Sequence, residues 1–250
     1  MTSQTPDQTV LVVGANRGIG YGFVQQLLPQ ASQIYATYRQ IASPELTELA
    51  AQSPQLHLLP MDITDEAQIS SGLAQIRRQV ERLHLVIYCV GFLHEGEIQP
   101  EKSLQQIQPA HLLRYFEVNS IGAVLLAKHL IPLLKHPERS VLACISAKIG
   151  SITDNQSGGW YGYRASKAAL NMLMRTAALE YSRKSPKTIV AMLHPGTTDT
   201  RLSAPFQRGL LPDKLFSVER TVQQLLAVMD GLQPEQSGEF FTWDGSPLPF

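Results

Sequence analysis

Tyr163 and Lys167 stand four residues apart in Trp160-Tyr161-Gly162-Tyr163-Arg164-Ala165-Ser166-Lys167. On a helix that spacing sets both side chains on one face as next-turn neighbours. A phenol with an ordinary pKa of about 10 is a poor acid or base at neutral pH, and a nearby ammonium favours the phenolate and lowers that value. Such a pair can pass a proton. Of the eight tyrosines only Tyr163 has a lysine four residues on. Solvent-facing helices carry the same spacing without chemistry, so the reading depends on the elements around it.

A second group of residues points to a phosphate-bearing ligand. The apolar run Val10-Leu11-Val12-Val13 leads directly into Gly14-Ala15-Asn16-Arg17-Gly18-Ile19-Gly20. It reads as a buried strand entering a tight turn. From Gly18 to Leu28 the residues Ile19, Phe23, Val24, Leu27 and Leu28 recur at helical spacing, and Pro29 stops the pattern. Glycines let a backbone turn sharply and approach a pyrophosphate, while a helix N-terminus offers free N–H groups and partial positive charge. The spacing is Gly-x-x-x-Gly-x-Gly, not the commoner Gly-x-Gly-x-x-Gly.

The next apolar strand, Ile34 to Tyr38, ends in Arg39. In dinucleotide folds an acid at this strand end bonds the ribose 2′-hydroxyl of NAD, whereas an arginine accommodates a 2′-phosphate. No acid stands at 37–39, and Arg17 adds a second cation, so NADP (NADPH) is preferred over NAD. The plainer alternative is that both arginines are simply solvated.

The remaining elements alternate. A helix lies around Pro44 to Gln52, a strand at Leu56 to Pro60, a helix from about Asp65 to Arg82, and a fourth strand within His84 to Gly91. Asp62, followed by Ile63, either bonds an adenine amine or caps the helix beginning near Asp65. A polar loop at 92–104 precedes a long helical pattern from about Pro109 to Lys135. Asn119 sits inside it as either a structural hydrogen-bonder or part of a site. Ser140 to Ile145 makes a fifth strand and puts Ser146 at its carboxyl end, on the rim where open α/β sheets bind ligands. The plainer alternative for Ser146 is an ordinary loop serine. The helix of Tyr163 follows, then a strand at Thr188 to Leu193 and the turn at His194-Pro195-Gly196. A mixed segment at about 199–217 has the character of a substrate lid. Val218 to Leu232 forms a last helix and Glu239 to Trp243 an edge strand. Such alternation implies right-handed crossovers and a mostly parallel seven-stranded sheet with helices on both faces, an α/β doubly wound architecture.

Bulk properties narrow the function further. At 250 residues one large α/β domain spanning 1–250 is ordinary. The 21 basic and 21 acidic residues cancel, which argues against nucleic-acid or polybasic membrane surfaces. Cys89 and Cys144 end hydrophobic runs and read as buried reduced thiols. The polar stretch Met1 to Thr9 lacks the apolar core of a secretory signal, and no segment reads as a bilayer span, so a cytoplasmic protein is expected. There is no Gly-x-Ser-x-Gly elbow for a hydrolase. The seven histidines form no ligand cluster, so no metal is expected.

Taken in order, Gly14-x-x-x-Gly18-x-Gly20, Asp62, Asn119, Ser146, Tyr163-x-x-x-Lys167 and Pro195-Gly196 resemble the classical short-chain dehydrogenase/reductase family, a Rossmann fold, over nearly the whole chain. The segment His194 to Phe206 and the ending Ser237 to Gly245 look most like the C-factor and sniffer-type carbonyl reductase branch. The resemblance implies that Tyr163 protonates a carbonyl oxygen as hydride arrives from nicotinamide, and that Ser146 bonds that oxygen. It implies that Lys167 lowers the phenol's pKa and holds the nicotinamide ribose, and that Asn119 anchors the water resupplying the proton. It places Gly14, Asn16, Arg17, Gly18, Ile19, Gly20, Arg39, Asp62, Ile63, Gly91, Pro195, Gly196, Thr198 and Thr200 against the cofactor. It implies a small-molecule carbonyl or alcohol substrate, with an apolar part suggested by the lid's leucines and phenylalanines, and a homodimer or homotetramer. Where the family has Asn-Asn-Ala-Gly, this chain has Tyr88-Cys89-Val90-Gly91. The C-factor likeness also leaves open a signalling or scaffold protein that binds the cofactor without turnover.

Overall fold

Residues 8–250 are described by a computed structural model; the first seven residues of the polar leader lie outside them. The first strand, β1 (Gln8–Val13), shows how the sheet is built. Val10 to Val13 are all wholly buried, because successive side chains of a strand point to opposite faces and both faces here are covered. Leu11 and Val13 join one apolar core, Val10 and Val12 the other.

The crossover helices supply the two covers. In chain order follow α1 (Gly18–Leu27), β2 (Ala31–Tyr38), α2 (Pro44–Ala51), β3 (Leu56–Pro60), α3 (Glu66–Arg77) and β4 (Leu85–Tyr88). Then come α4 (Pro109–Phe116), α5 (Gly122–Leu134), β5 (Ser140–Ile145), α6 (Tyr161–Lys184), β6 (Thr188–His194), β7 (Thr197–Thr198), β8 (Leu215–Phe216), α7 (Val218–Gly231) and β9 (Phe240–Thr242). Phe23 and Val24 of α1, Leu46 of α2 and Val222 and Leu225 of α7 close one core. Ile69 and Leu73 of α3, Leu126 and Leu130 of α5 and Leu170 and Met174 of α6 close the other.

The seven-stranded sheet has the order β3-β2-β1-β4-β5-β6-β9, and every pairing in it is parallel. From β1 the chain first proceeds to one side, through β2 to β3, and then crosses back to β4 on the other. The crevice beyond the carboxyl ends of β1 and β4 is therefore the topological switch point, where such folds bind ligands. Val13 pairs with Tyr88, Tyr88 with Cys144 and Ile145 with Leu193. That register brings Gly14, Gly91, Ser146 and Pro195 to one rim.

The long helix expected over 109–135 is interrupted. Glu117–Ile121 forms a π-helical turn between α4 and α5, and Asn119 lies in it. Single π turns of this kind concentrate at functional sites. The cause here is local: the widened turn carries Asn119, wholly buried, to the peptide groups of Phe92. The same run corrects the expectation about bilayer spans. Residues Pro109–Leu134, with a mean hydropathy of 1.3 in their most apolar window, are long and apolar enough to cross a membrane by length and composition. In this fold 56% of that window is buried, as a core helix requires. The helix expected to reach Arg82 stops at Arg77, since Gln79 and Val80 turn back on Ile76 and Leu83 bonds the carbonyl of Leu133.

Candidate active site

Helix α6 begins without a side-chain cap of its own. Trp160, just before it, takes a left-handed conformation (φ 54°, ψ 42°), unfavourable for a bulky residue. The start is held instead from the loop after β4. Glu101, only 2% exposed, accepts from Gly162 N–H at 3.1 Å through its carboxylate and from Trp160 N–H at 2.5 Å through its carbonyl. A carboxylate at a helix N-terminus is favoured by the helix dipole.

With its start fixed, α6 turns Tyr163, Lys167 and Asn171 onto one buried face, at steps of four residues. Lys167 Nζ donates to the carbonyl of Ile145 at 3.0 Å and lies 5.9 Å from the Tyr163 ring centroid. Ser146, the next residue, donates its hydroxyl proton to Asn171 Oδ1 at 2.6 Å. The end of β5 and the face of α6 are thus joined at two consecutive residues. From the family resemblance Lys167 is expected to lower the phenol's pKa. In the structure burial dominates and pushes the Tyr163 phenol above its ordinary range. Burial likewise pulls the Lys167 ammonium down to about 8, against the neighbouring thiols of Cys144 and Cys89. Both cysteines are free, Cys144 buried and Cys89 half-buried. At neutral pH Tyr163 therefore holds its proton, the state a general acid needs.

Of the two roles left open for Asn119, its bonds show the structural one. Its Oδ1 accepts from Phe92 N–H at 2.7 Å, and its Nδ2 donates to Phe92 C=O at 2.8 Å and to Ser166 Oγ at 2.9 Å. Ser166 in turn donates to the carbonyl of Tyr163. The side chain is structural in its bonds, yet it ties the loop after Gly91 to the helix of Tyr163. Tyr88 replaces an amide of the family pattern and serves the same neighbourhood, its hydroxyl donating to Val118 C=O in the π turn at 3.0 Å.

The glycine turn is built closely enough to hold a pyrophosphate. Gly14 has φ +82°, and a methyl group added there would stand 2.8 Å from Val90 Cγ2, so only glycine fits. Arg17, at the N-cap of α1, gives no side-chain bond to the first turn, which leaves its amides facing the crevice. Ile19 packs against the core. A methyl group on Gly18 would lie 3.3 Å from Thr200 Cγ2, and one on Gly91 3.9 Å from Lys167 Nζ and 3.7 Å from Leu202 Cδ1. The turn, Gly91, Lys167 and the beginning of the lid therefore line one crevice, and the residues present fit a dinucleotide.

Not every expected contact residue keeps its side chain free. Asn16 bridges loops, donating to Ile41 C=O and accepting from Ser43 N–H, which shapes the segment after Arg39. Arg39 faces Glu95 at 3.8 Å. Asp62 closes a turn with Thr64, while the cap of α3 is Asp65. Ile63 is buried near Gly122. Thr198 is buried and paired with Thr221 Oγ1 at 2.8 Å, and Thr200 N–H donates to Ser203 Oγ at 3.2 Å. Pro195 and Gly196 lead into β7, which pairs with β8 in a separate two-stranded sheet that clamps the base of the 199–217 segment.

That segment folds over the site. Phe206 packs edge-on against Trp160, with centroids 4.7 Å apart, and against His94 at 5.7 Å. Trp160 in turn meets Tyr163 at 6.2 Å, and His94 Nε2 lies 3.1 Å from Leu202 C=O. Glu101, Asn171 and this aromatic group were not among the residues expected from the sequence. Asn171 was legible as the next step of four beyond Lys167; nothing in the sequence marks Glu101.

Comparisons with known proteins agree with this geometry. The family model described as short chain dehydrogenase matches residues 8–210. The C-signal of Myxococcus xanthus is 32% identical over 148 residues, 59% of this chain and 84% of its own length. An NADPH-bound carbonyl reductase from chicken fatty liver superposes with a TM-score of 0.87 at 30% identity, covering 98% of this chain and all of that one. The carbonyl reductase Sniffer of D. melanogaster gives 0.86 at 25% identity, with the same coverage.

Proposed function

We propose that the chain, which belongs to the short-chain dehydrogenase family, reduces a carbonyl compound to an alcohol with NADPH as reductant. The observation that carries this reading is the buried Tyr163 beside Lys167, whose Nζ bonds the carbonyl of Ile145, the residue next to Ser146 at the carboxyl end of β5. Bound nicotinamide supplies the hydride. Tyr163 gives its proton to the carbonyl oxygen, and Ser146 bonds the same oxygen. Lys167 holds positive charge beneath them and reaches the nicotinamide ribose. Asn119 fixes the loop at Phe92 against α6. General acid chemistry of this kind is worth about 10² to 10⁴ in rate.

The preference for NADPH rests on Arg17 and Arg39, supported by the NADPH-bound chicken reductase. Trp160, Leu202 and Phe206 give the substrate an apolar wall. Exposed Leu113 on α4, Ile121 in the π turn, and Met172 and Leu179 on α6 offer apolar surface for a homodimer or homotetramer. Sedimentation of the purified chain tests that assembly.

The test of function is Tyr163→Phe with a panel of aldehydes, ketones and quinones. Turnover is expected to fall at least a hundredfold while calorimetric affinity for NADPH is unchanged. Retained turnover would sink the proposal. The likeness to C-signal favours a second reading, cofactor binding in a signalling role without turnover. A cellular phenotype fully restored by the Phe variant is its expected signature.

A further inference from the structure

The hydroxyl of Ser146 has a single proton, and the structure commits it to Asn171 Oδ1 at 2.6 Å. Both residues are only 2% exposed. The other end of the same amide, Asn171 Nδ2, is buried without a hydrogen-bond partner among the described residues. An unpaired buried N–H carries a desolvation penalty, and such groups in folded proteins call for an explanation. The contrast with Asn119 is informative. Both ends of the Asn119 amide are tied to Phe92, and its nitrogen also to Ser166, whereas Asn171 is bonded only to Ser146.

An amide held at one point can turn about its last bond and exchange oxygen for nitrogen at that point, since a carboxamide carries an acceptor on one side and two donors on the other. With Oδ1 toward Ser146, the serine proton is used up and Oγ presents lone pairs to the site. That arrangement suits an alcohol, which has a proton to donate. With Nδ2 toward Ser146, Oγ accepts from the amide and its own proton points to the reacting oxygen. That arrangement suits a carbonyl, which only accepts.

We infer that Asn171 is a positioning residue that assigns the proton of Ser146, turning its amide between a carbonyl-binding and an alcohol-binding arrangement of one site. The inference rests on the reductase reading above and adds to it a group that does not touch the substrate. It also accounts for the unpaired nitrogen: Nδ2 is the donor held for the carbonyl complex.

Two non-reacting complexes test this in the wild-type chain. Cyclohexanone with NADP and cyclohexanol with NADPH each lack the partner needed for hydride transfer. With asparagine side chains labelled with nitrogen-15, the Nδ2 signal of Asn171, assigned through its loss in Asn171→Leu, is expected at different positions in the two complexes. The same position in both overturns the inference. Kinetics give a second test. Both directions share one transition state, so a variant lowers kcat/KM of reduction and oxidation by the same factor, and the informative quantity is the KM of each substrate. Asn171→Asp, assayed at pH 9 with its carboxylate ionised, only accepts and keeps the serine proton. The ketone KM is expected to rise about tenfold while the alcohol KM stays level or falls. Asn171→Leu, which neither donates nor accepts, is expected to move the two KM values together. Equal changes in the Asp variant, or none, overturn the inference. If the wild-type chain turns over no member of the substrate panel, the reductase reading fails and this one with it. If wild type is active and the KM values do not separate, only the role of Asn171 fails.

Discussion

Replacing Lys167 by methionine isolates the cost of keeping a charge beneath Tyr163. Lys167 is 2% exposed, and burial lowers its ammonium from 10.5 to about 8. A base with a lower pKa in the folded state than in the unfolded one holds its proton less tightly when folded. Unfolding therefore takes up protons, and this contribution to stability rises with pH. It is least favourable below about pH 8, climbs between 8 and 10.5, and is level above. At pH 7 the depression corresponds to a cost of about 3 kcal/mol, of which about 2 kcal/mol is relieved by pH 10. Buried thiols and phenols with raised values, Cys144 and Tyr163 among them, act in the opposite sense, so the comparison must be between wild type and variant. Urea unfolding of both at pH 7, 8.5 and 10 provides it. The wild type is expected to gain about 2 kcal/mol relative to Lys167→Met across that range. The lost bond to Ile145 C=O adds only a constant offset, because ammonium and amine both donate. A difference that stays flat or falls with pH would refute the buried-charge argument, whatever the variant's activity.

Three further outcomes follow from other parts of the site. Glu95→Gln removes the anion facing Arg39; exposed pairs are worth about 0–1 kcal/mol, so calorimetry should show NADPH binding about threefold tighter and NADH binding unchanged, and an equal gain for both would remove Arg39 from 2′-phosphate recognition. Asn119→Ala strands the N–H and C=O of Phe92 in the interior and is expected to cost about 2–4 kcal/mol in urea unfolding; a loss below about 1 kcal/mol would mean that the π turn is held by other contacts. Phe206→Ala strips the lid from Trp160 and His94; the KM of apolar ketones should rise about tenfold with kcat little changed, in keeping with about 1 kcal/mol for aromatic contacts, and an unaltered KM would show that the lid does not touch substrate.

What the sequence made legible was whatever neighbouring residues decide among themselves. Strands β3 and β5 match their expected limits because their apolar runs end at clear punctuation: Pro60 in one case, Ser146 at the rim in the other. The glycine turn and the step from Tyr163 to Lys167 are equally local. The contacts that the sequence could not show join distant segments. Glu101 holds a helix 61 residues further on, and Asn119 reaches Phe92 only because the helix widens by one turn. Periodicity alone predicts a regular helix through that point, since Val118, Leu125 and Leu126 keep the pattern apolar on either side. The net upward push on the Tyr163 phenol was hidden for a related reason: side-chain spacing gives proximity but not the depth of burial.

The π turn also makes the length of this stretch of chain unusually critical. A single π turn accommodates one residue beyond the α-helical count, so deleting one of residues 117–121 would let α4 and α5 merge into a regular helix without breaking it. Backbone hydrogen bonding would improve. The two helices would keep their mutual orientation, because the surplus residue is what the wide turn absorbs. Yet Asn119, which the turn carries to the peptide groups of Phe92, and Val118, whose carbonyl accepts from Tyr88, would lose the backbone that presents them. A deletion that is conservative by every measure of helix propensity would thus cut the tie between the loop after Gly91 and the helix of the proton donor.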